Sequence, residues 1–304
     1  MKILLASPRG FCAGVNRAIT ALHQAVERYG APFYVFHEIV HNTWVVKEFQ
    51  DRGVHFVNSV KDVPDGAHLM FSAHGVSPHV RECCTRKRLQ VIDATCPLVT
   101  RIHTQAARLA EAGFQIILIG HAGHDEIVGI VEEAPEATHV LCSVEEAESV
   151  QILPDKPVAY LTQTTLSITE AERIVSVLTR RFPEIVKPQV SCICFATQNR
   201  QQTIRELAHE ADAVLIVGSP TSSNSKRLRE LATQQNVPAF LVDGPEDVDL
   251  NWFTADQTIL ISAGASAPET VVQKVLAKLQ SAFHAEIEHR EVCRETLQFR
   301  LPEI

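Results

Sequence analysis

The sequence predicts a parallel α/β protein: three small αβ units with mostly parallel sheets. Three observations predict it. Short apolar runs recur along the chain, each followed by an amphipathic stretch at helical spacing. The runs lack strict alternation, as strands covered on both faces do. At 304 residues, 45% hydrophobic and 21% charged, the chain has material for two or three domains rather than one minimal core.

Taken in order, KILLAS (2–7) reads as the first strand and NRAITALHQAVERYG (16–30) as a helix closed by Gly30. FYVFHE (33–38), HLMFSA (68–73) and LQVIDA (89–94) are further strands, and LVTRIHTQAARLAEAG (98–113) is a helix closed by Gly113. QIILIG (115–120), HVLCS (139–143) and PVAYLT (157–162) follow as strands, then the helical TEAERIVSVLTRRF (169–182). KPQVS (187–191) reads as a strand ahead of the helix TQNRQQTIRELAHEA (197–211). AVLIVG (213–218), AFLVD (239–243) and TILISAG (258–264) complete the strands. Residues 284–304 are charged with one short apolar patch and read as a surface-packed tail.

Composition excludes some functions. A net charge of −8 argues against nucleic acid, whose phosphate backbone needs a basic face. A small phosphorylated ligand remains compatible, because screening over roughly 8 Å lets local donors outweigh global charge. KILLA is too short for a signal-peptide core and no apolar stretch approaches ~20 residues, so neither a leader nor a membrane span is expected. The chain therefore reads as cytoplasmic, with reduced thiols. Its eight cysteines (12, 83, 84, 96, 142, 192, 194 and 293) are then metal ligands or small buried residues rather than a disulfide framework.

Three of them form a pattern. Cys12 follows KILLAS, Cys96 follows LQVIDA and Cys194 follows KPQVS, 84 and 98 residues apart, each just ahead of a helix. Open α/β sheets bind ligands at the carboxyl edge of their strands. Three units around an axis would bring the three thiols together, which explains why Cys12 sits between glycines with no cysteine near it in sequence. Three thiolates with an open position suit catalytic zinc as well as an iron–sulfur cluster.

The same edge collects other polar groups. His41 follows one strand, His74 another, and His121, His124 and Glu126 a third. TQTTLS, GSPTSSNS and SAGASAPE add hydroxyl- and glycine-rich loops, whose N–H and hydroxyl groups suit an anion. Ser222, Ser223, Asn224 and Ser266, with His41 and His74, would serve a diphosphate. Taken singly, SSNS also reads as a helix cap and each histidine as an ordinary polar side chain. Neither a Walker A motif nor GxGxxG is present.

RGFCAGV with NRAI, HEIVHN, SAHGVSP, DATCPLVT, GHAGHDE, TQTTLS, CFATQNRQ, SSNS and AGASAP occur in one order over residues 1 to 272. In this the chain closely resembles the LytB/IspH family, the 4-hydroxy-3-methylbut-2-enyl diphosphate reductases of the non-mevalonate (MEP/DXP) isoprenoid pathway. The resemblance implies one [4Fe–4S] cluster with three cysteine ligands, Cys12, Cys96 and Cys194. It implies that His41, His74, Ser222, Asn224 and Ser266 hold the substrate diphosphate, with Ser223 in the same loop. His124 and Thr164 then lie near the substrate, and the catalytic Glu126 takes part in proton delivery, so it is expected to hold a proton at neutral pH. The reaction implied is reductive dehydroxylation to isopentenyl and dimethylallyl diphosphate, last in its pathway. By the same analogy the units are residues 14–96, 97–193, and 1–13 plus 194–283, in a pseudo-threefold trefoil around the cluster, with 284–304 as tail.

Two departures stand out. Ser191 and Cys192 replace a pair that is usually acidic in the family, which sets Cys192 two residues from the expected ligand Cys194. Pro220 and Thr221 stand where the family commonly has a polar pair containing Asn. Cys83 and Cys84 lie in the basic stretch HVRECCTRKR, read as a helix end. Arg86, Lys87 and Arg88 there would also suit an acidic electron donor such as a ferredoxin or flavodoxin. A zinc-dependent hydrolase of a phosphorylated small molecule is the alternative reading of the same thiols, with Glu126 as base.

Overall fold

The computed structural model describes residues 1–304. Its strands form three sheets, and every strand pair is parallel. The expected α/β class with three parallel sheets is present. No helix is long and apolar enough to cross a membrane. The chain divides into two compact units.

One unit comprises Met1–Asn16, Val40–Asp51 and Phe195–Gln298. Its sheet has the order β10-β9-β11-β1-β12. These strands are β1 (Lys2–Ser7), β9 (Ala213–Val217), β10 (Ala239–Val242), β11 (Thr258–Ala263) and β12 (Glu286–Glu291). Successive side chains along a strand point to opposite faces. Ile3, Leu5, Leu215, Val217, Ile259 and Ile261 accordingly meet Val271, Val275 and Leu279 of α10 (Glu269–Phe283) on one side. Leu4, Ala6, Val214, Ile216 and Leu260 meet Ile204 and Leu207 of α8 (Phe195–Leu207) and Leu228 and Ala232 of α9 (Ser223–Gln234) on the other. Both faces of each central strand are buried, which is why the apolar runs do not alternate.

The other unit comprises Arg17–Ile39, Arg52–Cys194 and Phe299–Ile304. One of its sheets, β3-β2-β4-β5, contains β2 (Phe33–Phe36), β3 (Val54–Val57), β4 (His68–Phe71) and β5 (Gln90–Asp93). The second, β7-β6-β8, contains β6 (Gln115–Ile119), β7 (Thr138–Leu141) and β8 (Val158–Thr162). β6 is buried throughout. Its Ile117 and Ile119 pack on Ile174 and Leu178 of α7 (Ile168–Arg181). Ile116 and Leu118 pack on Ile102 and Ala106 of α4 (Pro97–Glu111) and on Ile127 and Ile130 of α5 (Asp125–Val131).

Two sequence expectations need correction. KPQVS is not a strand: Val186 makes one isolated bridge to Ala159, and the chain then leaves the sheet at Pro188, which has no N–H to donate. Cys194 is thus not at the end of a strand of its own. Residues 284–304 are more than a tail, since β12 pairs in parallel with β1 over six residues. Its exposed charged side chains suit an edge strand.

Candidate functional site

In the unit containing Cys12, three loops at the carboxyl ends of β1, β9 and β11 are tied together. The loop after β1 turns at Gly10, whose φ of 66° is left-handed. The Gly10 N–H donates to the Ala263 carbonyl at 3.2 Å and the Cys12 N–H to the Ala265 carbonyl at 3.1 Å. Arg9 donates to the Ala6 carbonyl and to Glu269. Next to Ala265, the Ser266 hydroxyl donates to the His41 carbonyl at 3.0 Å and lies 3.4 Å from Ser222 Oγ. Asn42 Oδ1 accepts the Val45 N–H at 3.1 Å and so caps α2 (Thr43–Asp51), which fixes the segment bearing His41.

The loop after β9 leads into α9. Ser219 closes the Pro220–Thr221 turn: its carbonyl accepts the Ser222 N–H at 3.0 Å, and its Oγ accepts the Thr221 N–H at 3.2 Å. The altered pair therefore still delivers Ser222 to its place as the α9 cap, where Oγ accepts the Ser225 N–H at 3.3 Å. A Cβ at Gly264 would lie 3.1 Å from Ser225 Cβ, and one at Gly218 2.9 Å, so Ser225 packs directly against both glycines. Ser223 Oγ and both polar atoms of the Asn224 amide are buried with no hydrogen-bond partner in the protein. Such groups cost ~1–3 kcal/mol each when left unpaired. They sit at a helix N-terminus, where orphan N–H groups and the helix dipole favour an anion.

In the other unit, the second group of predicted residues converges. The Cys96 N–H donates to the Ala73 carbonyl at 3.0 Å, which joins the Cys96 turn to the His74 loop. Cys96 occupies the N-cap position of α4 without making a side-chain cap bond. Its turn is held from behind by Arg17, which donates to the Thr95 carbonyl at 3.0 Å and to the Arg300 carbonyl at 2.9 Å. Partial burial lowers the Arg17 pKa, with Asp93 opposing that shift. Asp93 Oδ1 accepts the Thr95 N–H at 3.0 Å, and Oδ2 lies 2.9 Å from Arg81 Nη2. Burial disfavours the Asp93 charge, but Thr95 and Arg81 together outweigh it and hold the carboxyl below the usual range.

His124 caps α5: its Nδ1 accepts the Glu126 N–H at 3.1 Å, so a neutral ring carries its proton on Nε2. The His74 and His124 rings meet edge to face at 5.8 Å. Glu126 is 2% exposed. The Thr164 N–H donates to Glu126 Oε1 at 2.7 Å and the Thr164 hydroxyl to Oε2 at 2.6 Å. The Thr164 carbonyl accepts the Cys194 N–H at 3.1 Å. Thr164, two residues beyond the end of β8, thus positions both the buried carboxylate and the third predicted ligand. Cys192 instead packs in the apolar cluster with Ile116, Leu118 and Leu161, and burial pushes its thiol up.

Within each unit the predicted residues fall together: Cys12, His41, Ser222, Ser223, Asn224 and Ser266 in one, His74, Cys96, His124, Glu126, Thr164 and Cys194 in the other. His121 stands apart in role, its N–H donating to Gln163 Oε1 at 3.1 Å. Sequence reasoning missed Asp125, whose Oδ1 lies 2.7 Å from His37 Nδ1 and whose Oδ2 lies 4.0 Å from His74 Nδ1. Its position beside Glu126 in GHDE was the available signal.

Parallel sheets whose loops carry cysteines, histidines and a hydroxyl-lined helix N-terminus offer soft-metal ligands and an anion-binding cradle. The family model described as LytB protein matches residues 3–280, and the chain belongs to that family. A protein of Rhodopirellula baltica named 4-hydroxy-3-methylbut-2-enyl diphosphate reductase is 49% identical over 99% of this chain and 95% of its own length. An Actinobacillus pleuropneumoniae protein of the same name is 47% identical over 99% and 97%. Among solved structures, the E-1-hydroxy-2-methyl-but-2-enyl-4-diphosphate reductase of Plasmodium falciparum aligns with a TM-score of 0.96 and 37% identity, covering 99% of this chain and 95% of that one.

Proposed function

We propose that this chain reduces 4-hydroxy-3-methylbut-2-enyl diphosphate to isopentenyl and dimethylallyl diphosphate. The balance is one allylic alcohol, two electrons and two protons giving one alkene and one water. The observation that carries the reading is the buried, partnerless set of Ser223 Oγ and the Asn224 amide at the start of α9. A diphosphate oxygen supplies the partners these groups lack. His41, His74, Ser222 and Ser266 complete the anion-binding set in this reading, and the full-length relatives named as the reductase support it.

Family membership implies an iron–sulfur cluster, and the finer proposal is one [4Fe–4S] cluster on Cys12, Cys96 and Cys194. The donor set fits: none of the three is in a disulfide, each precedes a helix, and Cys96 makes no cap bond with its side chain. Thiolates suit soft metals and iron–sulfur clusters. When bound, the cluster supplies electrons and an iron site for the substrate hydroxyl. The chain's own residues do the rest. The α9 loop orients the diphosphate, and Glu126, fixed by Thr164 at both carboxylate oxygens, relays a proton to the departing hydroxyl. Hydroxide leaves poorly, so a positioned acid lowers that barrier. Burial of Glu126 shields this proton from bulk water.

The same proposal assigns electron delivery to an acidic carrier such as a ferredoxin or flavodoxin, docking near Arg86, Lys87 and Arg88, with the enzyme acting in the cytoplasm. Anaerobic turnover with a dithionite-reduced viologen tests the central reaction. Both products are expected from the parent and at least tenfold less from Glu126→Gln. No substrate consumption by protein carrying full iron and sulfide would overturn it.

A further inference from the structure

The last twenty residues hold one contact that neither the sequence pattern nor the reaction explains. Arg200, on α8, is 0% exposed and is the largest fully buried side chain in the chain. Its Nη2 donates to the Gly10 carbonyl at 2.7 Å and its Nη1 to the Ala196 carbonyl at 2.9 Å. The carboxylate that meets it is Glu295, with Oε1 2.9 Å from Nη1 and Oε2 3.3 Å from Nη2. Asn199 Nδ2 donates to the same Oε1 at 3.0 Å. All of these residues belong to the unit that contains Cys12.

The contact is built rather than incidental. β12 runs beside β1 in fixed register, from Lys2↔Glu286 to Ser7↔Glu291, and the Val292 N–H donates to the Ser7 carbonyl at 2.9 Å. That pairing delivers Glu295 to the loop following β1. The loop has little slack: Gly10 is left-handed, and a Cβ there would meet the Ala267 carbonyl oxygen at 3.1 Å. Its amides are held by the Ala263 and Ala265 carbonyls, and its one carbonyl held by a buried cation is that of Gly10, two residues before Cys12. A buried guanidinium without its carboxylate carries an uncompensated charge and draws water or retracts. Retraction releases the Gly10 carbonyl, and inserted water competes for the Nη2 donor that holds it.

We propose that Glu295 is a positioning residue, which through Arg200 holds the Gly10–Cys12 loop in the conformation that lets the Cys12 thiolate act as a ligand. This rests on the reading of Cys12 as a cluster ligand. The tail thereby gains a part in retaining the metal group, although it lies outside residues 3–280 matched by the family model.

The test measures iron release to a strong chelator from the whole, anaerobically prepared, cluster-loaded chain, with melting temperature alongside. Glu295→Gln is expected to lose iron at least tenfold faster than the parent. Arg290→Gln breaks a different ion pair of the same tail strand, to Glu210 at 2.6 Å, and is expected to lose iron at the parent rate. Equal acceleration in both variants would mean that the tail acts only through general stability and would overturn the proposal. Should Glu295→Gln fail to fold, Glu295→Asp, which keeps the charge but shortens the reach, is read the same way: parent-rate release overturns the proposal and faster release supports it. Cys12→Ser separates the two levels. Full iron retention in that variant removes the ligand reading itself. Iron loss in Cys12→Ser with parent-rate release from Glu295→Gln removes only the role of Glu295.

Discussion

Ser223→Ala separates function from stability, because the two respond in opposite directions. In the free protein the Ser223 hydroxyl is buried without a partner. Removing it abolishes a desolvation penalty of ~1–3 kcal/mol and leaves a side chain of nearly the same shape. With an unfolding entropy of about 2.1 cal/mol/K per residue, that raises the melting temperature by about 2–5 °C. Toward the substrate the sign reverses. A hydrogen bond to a charged phosphate oxygen contributes about 1.5–3 kcal/mol, so KM for the diphosphate rises roughly 10- to 150-fold. Differential scanning calorimetry without substrate and steady-state kinetics on the same preparation measure both. A lower melting temperature with unchanged KM would refute the reasoning, since the hydroxyl would then have a partner within the protein and none in the substrate.

Other perturbations follow from the same geometry. Thr164→Val keeps the N–H to Glu126 Oε1 but removes the 2.6 Å hydroxyl bond to Oε2, so kcat is expected to fall about 10- to 100-fold with little change in KM; steady-state kinetics with unchanged kcat would contradict this. Cys192→Ala should leave iron content unchanged, because that thiol packs within the apolar cluster of Ile116, Leu118 and Leu161, whereas Cys194→Ala should lose iron on the same metal analysis. Asp93 has a folded pKa below its unfolded one, so its contribution to stability is present above about pH 4 and lost as pH falls through the folded value. Melting curves from pH 7 down to pH 2 should show Asp93→Asn below the parent at neutral pH and converging with it in acid. The carboxylate is 40% exposed, so the difference should stay under about 1 kcal/mol.

Much of this was legible because strand ends in a parallel sheet carry their chemistry in short local motifs. The apolar runs of β1, β6, β9 and β11 are buried on both faces, and so read clearly. β12 was not legible: EIEHRE has an exposed, charged face, and its place in the sheet comes from backbone pairing with β1 that side-chain pattern does not encode. KPQVS misled because it precedes a cysteine and a helix as the strands before Cys12 and Cys96 do, whereas Pro188 ends the pairing after the Val186 bridge. At the site, Glu126 and Thr164 were each marked by their motifs. Their direct bond spans 38 residues of chain and appears only when β6 and β8 pair. The Arg200–Glu295 pair spans 95 residues and has no local signature in either helix or tail.

The central claim is that three thiols of this chain hold an iron–sulfur cluster used to reduce an allylic diphosphate. Its most direct test is iron, zinc and acid-labile sulfide on anaerobically purified protein, with visible spectra before and after dithionite. The account predicts about four iron and four sulfide per chain, as a single [4Fe–4S] cluster requires, and an absorbance that bleaches on reduction. Stoichiometric zinc without sulfide, in protein never exposed to air, would contradict it and favour the zinc-dependent hydrolase.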